Sequence, residues 1–201
     1  MKTILLIRHS EPIQERTTPT EALPLSEQGH RKAQELFALD IFHAVKTVYT
    51  SPYRRAYSTA EKLSAHCTPD RRFREREIGN PDTLRADFWS RQYQNHDSKN
   101  TNGESLNDVK EIMTAAIDEV IASMQDGSTV AIVSHAAAIC AFLLNWCAIE
   151  VIDSQKKIRK IMHNGAVVMN GAIATPSAFM LEFEHERLRK ITYVDKENHR
   201  L

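Results

Sequence analysis

The chain has 201 residues, 42% hydrophobic and 26% charged, the usage of an ordinary globular domain long enough to bury a core without disulfide or metal staples. Lysine and arginine (26) balance aspartate and glutamate (26), which argues against a chain-wide nucleic-acid or acidic-membrane binder and makes any anion site local. The three cysteines, Cys67, Cys140 and Cys147, show neither a CxxC spacing nor an even count. A disulfide framework and a zinc finger are therefore disfavoured, and a reducing cytoplasm is the expected compartment.

The N-terminal apolar run turns charged at Arg8, too soon for a signal peptide, and is expected to be a strand over residues 4–7. Residues 26–39 predict a helix with Ser26 as N-cap. A short strand follows at 47–49, and Ser51-Pro52 opens a further helix to about residue 65. Residues 80–102 are rich in Asp, Asn, Ser and Arg and are expected to form a lid-like insertion in an otherwise single domain spanning 1–201. Gly103-Glu104-Ser105 introduces a long helix through Met124, with Val109, Ile112, Met113, Ala116, Ile117, Val120 and Ile121 three or four apart. The apolar run 129–133 is a second core strand. Residues 136–149 are shorter than the roughly 20 that span a membrane and read as a buried helix. The basic segment 156–160 reads as a solvated face. Strand-like stretches follow at 164–169, 178–183 and 188–194, with Asn170-Gly171 as a hairpin turn, and the tail 196–201 is expected to fray.

Both core strands end in a polar-histidine step, Arg8-His9 and Ser134-His135. Ligands of open α/β sheets bind at such strand ends. A third basic element, Arg54-Arg55, stands near the start of the helix opened by Ser51, where helix amides also favour an anion. Each could be an ordinary polar strand or helix terminus. Three such junctions in one α/β domain point instead to one shared oxyanion site.

Seven ordered pieces sharpen that reading: Leu6-Ile7-Arg8-His9, Leu25-Ser26 through Gln34, Ser51 through Ala60, Phe73 through Gly79, Gly103-Glu104-Ser105, Val133-Ser134-His135 and Asn164-Gly165. In this order the chain resembles the first branch of the histidine phosphatase superfamily, also called the phosphoglycerate mutase-like family. The resemblance implies a three-layer α/β/α sandwich with a mainly parallel central sheet. It implies His9 as nucleophile forming a phosphohistidine, Arg8, Arg55 and His135 around the phosphoryl oxygens, and Glu75 as proton donor and acceptor at the leaving oxygen. Ser134 and Asn164 join the phosphate- and substrate-binding set. Two guanidiniums and an imidazole supply donors for a loose phosphoryl transition state, so no metal or cofactor is required. The partners implied are a small phosphorylated substrate and inorganic phosphate as product, with no nucleic acid or membrane. His9 must attack neutral, with nearby arginines lowering its pKa and a backbone carbonyl holding one ring nitrogen.

Within these motifs, Arg55 holds the register before Ala56, leaving Arg54 solvated, and the spacing to Gly79 selects Glu75 over Glu77. Departures from the family pattern bear on the function. Ser10 stands where glycine is usual, and Glu15 occupies the register of a phosphate-binding asparagine, so it either turns outward or sits in a differently arranged loop. Residues 80–102 carry only Arg85, Arg91 and Lys99, without an adjacent arginine pair. That favours hydrolysis of a phosphomonoester over a cofactor-dependent phosphoglycerate-type mutase. A phosphate-ester or phosphoprotein binding module without turnover is the remaining alternative.

Overall fold

The structure, a computed structural model, describes residues 1–15 and 17–197. The part of the tail expectation beyond residue 197 lies outside the described residues. The chain forms β1 (Lys2–Arg8), α1 (Glu27–Phe37), β2 (Val45–Thr50), α2 (Arg54–Ala60), β3 (Cys67–Pro69), α3 (Phe88–Arg91) and α4 (Leu106–Ser123). It continues through β4 (Thr129–Ser134), α5 (Ala136–Leu143), β5 (Cys147–Asp153), β6 (Ile158–His163), β7 (Ala166–Gly171), β8 (Ser177–Glu184) and β9 (Arg187–Val194). Two compact units result: Met1–Arg74 with Glu119–His135 and the chain from Ala174, and Glu75–Asp118 with Ala136–Ile173. Among the described residues no helix is long and apolar enough to cross a membrane.

The first unit is an α/β fold around a six-stranded sheet, in the order β3-β2-β4-β1-β8-β9. The four strands β3, β2, β4 and β1 are mutually parallel, while β8 runs antiparallel to β1 and β9, at the sheet edge, antiparallel to β8. Side chains alternate across a strand. Leu5, Ile7, Val48, Ala131 and Val133 therefore enter one cluster with Ala33, Leu36 and Phe37 of α1 and Ala56 and Ala60 of α2. Ile4, Leu6 and Ile132, of opposite parity, are also fully buried, which is why these two strands read as continuous apolar runs.

The helix at 26–39 is realised as α1, with Ser26 Oγ accepting the Gly29 N–H at 2.9 Å. Gly29 also lies against the backbone carbonyl of Glu11, into which an added Cβ would project. Alanine normally favours a helix by about 1 kcal/mol over glycine. Here the fixed carbonyl reverses the sign, so Gly29→Ala is expected to destabilise by about 1–3 kcal/mol, read as a fall in the urea midpoint at unchanged m-value.

The second unit carries the antiparallel sheet β5-β6-β7 with α3, α5 and most of α4. Its two motif glycines pack back to back: a Cβ on Gly79 would strike the carbonyl of Thr101, and one on Gly103 the carbonyl of Ile78. That close approach is what the glycine after the acid motif and the one before Glu104 make possible. Three expectations are corrected. The helix opened by Ser51 ends at Ala60. The buried helix ends at Leu143, and Cys147 starts β5, whose alternating burial is that of a half-covered strand. The β6–β7 hairpin turns at Asn164-Gly165, with φ of 51° and 79°, while Asn170-Gly171 ends β7. Both φ values of the first pair are those of a primed two-residue turn.

Candidate active site

The sheet order sets the site. β4 lies between β1 and β2, so His9 after β1, His135 after β4 and Ser51 after β2 emerge side by side from three adjacent strand ends. His9 N–H donates to the Ser134 carbonyl at 2.9 Å, and Ser51 N–H to that of Val133 at 2.8 Å, which ties the three exits together. The two imidazoles stand edge to face with centroids 5.0 Å apart. The first turn of α2 then delivers Arg55, which is buried, while Arg54 is exposed as expected.

Arg55 links the group. Its Nε donates to His9 Nε2 at 3.0 Å, its Nη2 to His135 Nδ1 at 3.1 Å, and its Nη1 to the Thr20 carbonyl at 2.5 Å. A guanidinium only donates, so both imidazole nitrogens facing it carry lone pairs. His9 Nδ1–H then donates to the Ser10 carbonyl at 2.7 Å, and His135 Nε2–H to Ser51 Oγ at 2.8 Å. The two rings are therefore neutral and in opposite tautomers. Tyr53 packs its ring on His135 and under Arg55, 5.1 Å in each case.

Burial, then Arg55 and more weakly Arg8, lower the His9 pKa to about 3 against the opposing pull of the Ser10 carbonyl. Burial with His9, Arg55 and Arg8 holds His135 well below its usual value. The unfolded chain, with histidines near 6.5, therefore binds more protons than the folded one as pH falls below that value. The stability contributed by neutral His9 is complete above about pH 6.5 and is lost as pH drops, by about 2 kcal/mol at pH 5. His135 adds to the loss in the same direction. Urea unfolding at pH 7.5 and pH 5 is expected to show a fall that is smaller by about 2 kcal/mol in His9→Ala than in the wild type. Equal falls would contradict it.

Of the expected residues, Arg8, His9, Arg55, Ser134 and His135 belong to this unit; Glu75 and Asn164 belong to the second. Ser134 is buried and gives its hydroxyl to the Phe73 carbonyl at 2.8 Å. Glu75 is half-buried, with its Oε1 accepting the Arg76 N–H at 3.0 Å. Glu77 is exposed. Asn164 supplies the exposed tip of the β6–β7 hairpin. Glu15 turns out to solvent, where it accepts from the Thr17 hydroxyl. Ser10 uses its extra hydroxyl on the Gly29 carbonyl at 2.6 Å, and its N–H on Thr59 Oγ1 at 2.9 Å. Thr59 and Ser51 were not singled out by sequence reasoning, although both fall inside the Ser51–Ala60 motif that carried Arg55. Among the described residues no group of three or more His, Cys, Asp or Glu could hold a metal ion.

A mainly parallel sheet with two neutral imidazoles bridged by a guanidinium at its strand ends gives an α/β fold with a site suited to a phosphoryl group. The chain belongs to the histidine phosphatase superfamily, branch 1, whose family profile matches residues 4–169. Among curated proteins no sequence matches it. The solved structures it resembles include mycobacterial glucosyl-3-phosphoglycerate phosphatase in complex with VO3, at 20% identity and TM-score 0.70 over 97% of this chain and 100% of that one. Another is YhfR from Bacillus stearothermophilus, at 22% identity and TM-score 0.64 over 94% and 95%. A phosphoserine phosphatase mutant from Entamoeba histolytica in complex with phosphoserine gives 17% identity and TM-score 0.63 over 99% and 100%.

Proposed function

We propose that the chain hydrolyses phosphomonoesters through a phosphohistidine on His9, without a metal. The observation that carries the reading is the state of His9, neutral and buried, with Nδ1–H fixed on the Ser10 carbonyl and the Nε2 lone pair turned to Arg55. When an ester enters, Arg55 transfers its donors from the imidazoles to the phosphoryl oxygens, and Nε2 is freed for in-line attack. The P–N bond forms as the ester P–O bond breaks, and Glu75 gives its proton to the leaving oxygen. Glu75 then takes a proton from water, which attacks phosphorus. The P–N bond breaks, and inorganic phosphate leaves with His9 restored. Arg8, Arg55 and His135 stabilise charge on the equatorial oxygens in both halves.

The phosphatases among the similar structures, one of them with VO3 and one with phosphoserine, support small phosphorylated substrates. Hydrolysis is favoured over mutase chemistry because residues 80–102 hold no adjacent arginine pair and two of their three cations face local carboxylates: Arg85 pairs with Asp87 at 3.0 Å, and Lys99 lies 3.5 Å from Asp108. The test is phosphomonoester turnover in chelator with trapping of label from a radiolabelled ester. Acid-labile, base-stable label on His9 is the expected result. Turnover that stops in chelator, or no label during rapid turnover, would overturn the reading.

A further inference from the structure

The turn that follows His9 is held from three sides, all within the first unit. Ser10 is fully buried, and its hydroxyl donates to the Gly29 carbonyl of α1 at 2.6 Å. Its N–H donates to Thr59 Oγ1 at 2.9 Å, and the Thr59 hydroxyl, also fully buried, donates in turn to the Arg55 carbonyl at 2.7 Å. The next carbonyl along the chain, that of Glu11, accepts the Ser26 N–H at 3.0 Å. Between these anchors stands the Ser10 carbonyl, which accepts His9 Nδ1–H at 2.7 Å. A glycine at position 10 would present the same carbonyl without the bond to Gly29.

While Arg55 Nε donates to His9 Nε2, the guanidinium also fixes the tautomer, because it can only donate. Once Arg55 turns to the phosphoryl oxygens, that constraint is gone, and a phosphate oxygen beside Nε2 is an acceptor. It favours the opposite tautomer, with Nε2–H on the anion and the lone pair on Nδ1, since a hydrogen bond to an anion is about twice as strong as a neutral one. In that form the ring binds phosphate and cannot attack it. Among the described residues the Ser10 carbonyl is the one partner of Nδ1 that opposes the switch. A carbonyl free to swing aside would permit it. A carbonyl held in place would be left facing a second lone pair in a buried site, which is costly.

We propose that Ser10 and Thr59 are positioning residues, whose hydroxyls hold the Ser10 carbonyl against the His9 ring and so keep the attacking lone pair on Nε2 while an oxyanion is bound. This rests on the reading above that makes His9 Nε2 the nucleophile. Thr59 serves twice, because its bond to the Arg55 carbonyl ties the turn of the nucleophile to the helix turn that delivers the arginine. The two groups that exchange partners when the ester enters therefore share one anchor.

The experiment reads the His9 tautomer from the ring 15N shifts of the full chain saturated with inorganic phosphate, beside kcat and KM on an alkyl phosphomonoester such as glycerol 2-phosphate. The wild type is expected to keep Nδ1 protonated and Nε2 bare with phosphate bound. Ser10→Ala and Thr59→Val are each expected to give a mixture of the two tautomers and to lower kcat about 3- to 10-fold, the weight of one buried hydrogen bond, with KM unchanged or lower. Thr59→Ser, which keeps the hydroxyl, is expected to restore both readouts. Should Ser10→Ala fail to fold, the Thr59→Ser and Thr59→Val pair makes the same comparison. A residue that only supports the fold would lower the urea midpoint and leave tautomer and kcat as they were, and that result would overturn the proposal. So would a wild type that carries Nε2–H when phosphate is bound, or a loss that lies in a raised KM. A tautomer shift in the variants without turnover of any ester by the wild type would sink the hydrolase reading and leave the clamp standing. Turnover through labelled His9 with the same tautomer in every variant would do the reverse.

Discussion

Replacing His9 by alanine is expected to lower kcat on any phosphomonoester by at least about three orders of magnitude and to abolish the acid-labile label, while the protein remains folded at neutral pH. The lost atom is Nε2, whose lone pair is aimed by the hydrogen bond of Nδ1–H to the Ser10 carbonyl. Its neighbours stay in place without it: Arg55 keeps the Thr20 carbonyl and His135, and His135 keeps Ser51. The variant should therefore still bind vanadate or phosphate, which separates the loss of a nucleophile from the loss of a pocket. Residual turnover within tenfold of the wild type would remove His9 from the chemistry. A variant that binds no oxyanion would instead mean that the imidazole holds the cluster together.

The pH behaviour of the wild type follows from the same hydrogen bonds. Because His9 takes its proton only near pH 3, its protonation cannot set an acid limb of kcat/KM between pH 5 and 7. Any limb in that range belongs to another group, and in the proposed mechanism that group is Glu75 or the substrate phosphate.

Much of this site was legible in the sequence because its parts stand at strand ends. A run buried on both faces of a parallel sheet is continuously apolar, so the first polar residues after it, Arg8-His9 and Ser134-His135, mark the C-terminal edge without any long-range information. The lateral order of those edges was not legible. That β4 separates β1 from β2 depends on pairing, and it is pairing that brings Ser51 to His135. The carbonyl that fixes the His9 tautomer belongs to Ser10, the next residue, a contact set by backbone direction and carrying no side-chain signal.

The misread segments have equally local causes. The run 136–149 is apolar through both a buried helix and the first residues of β5, so hydrophobicity hid a change of period that shows only in the alternating burial of Cys147, Ala148, Ile149 and Glu150. Two Asn-Gly pairs competed for one hairpin. The first is flanked by strand-forming residues on both sides, while the second is followed within six residues by Pro176, which cannot donate to a ladder. The charge run 156–160 reads as solvated throughout, yet only Lys156 and Lys157 are exposed, while Ile158, Arg159 and Lys160 are half-buried on β6.

Arg55 carries the second large effect, and two substitutions separate its charge from its shape. Arg55→Ala is expected to cost about three orders of magnitude in kcat/KM, since it removes at once the donor to Nε2, the donor to His135 and a cation for the phosphoryl oxygens. It also removes the largest cause after burial of the low His9 pKa. The His9 pKa then rises toward its ordinary value, and an acid limb that the wild type lacks should emerge as residual activity falls with decreasing pH. Arg55→Lys restores a positive charge but reaches only part of the fork that spans His9, His135 and the Thr20 carbonyl. It should keep the His9 pKa low, without the new acid limb, and still lose about two orders of magnitude, because a point charge cannot hold both imidazoles and then turn two parallel donors to phosphate. Rate-pH profiles of the two variants decide the matter. If lysine restores full activity, charge alone suffices and the bridging geometry has no catalytic part. If alanine shows no acid limb, burial by itself keeps His9 neutral, and Arg55 acts on the phosphoryl group only.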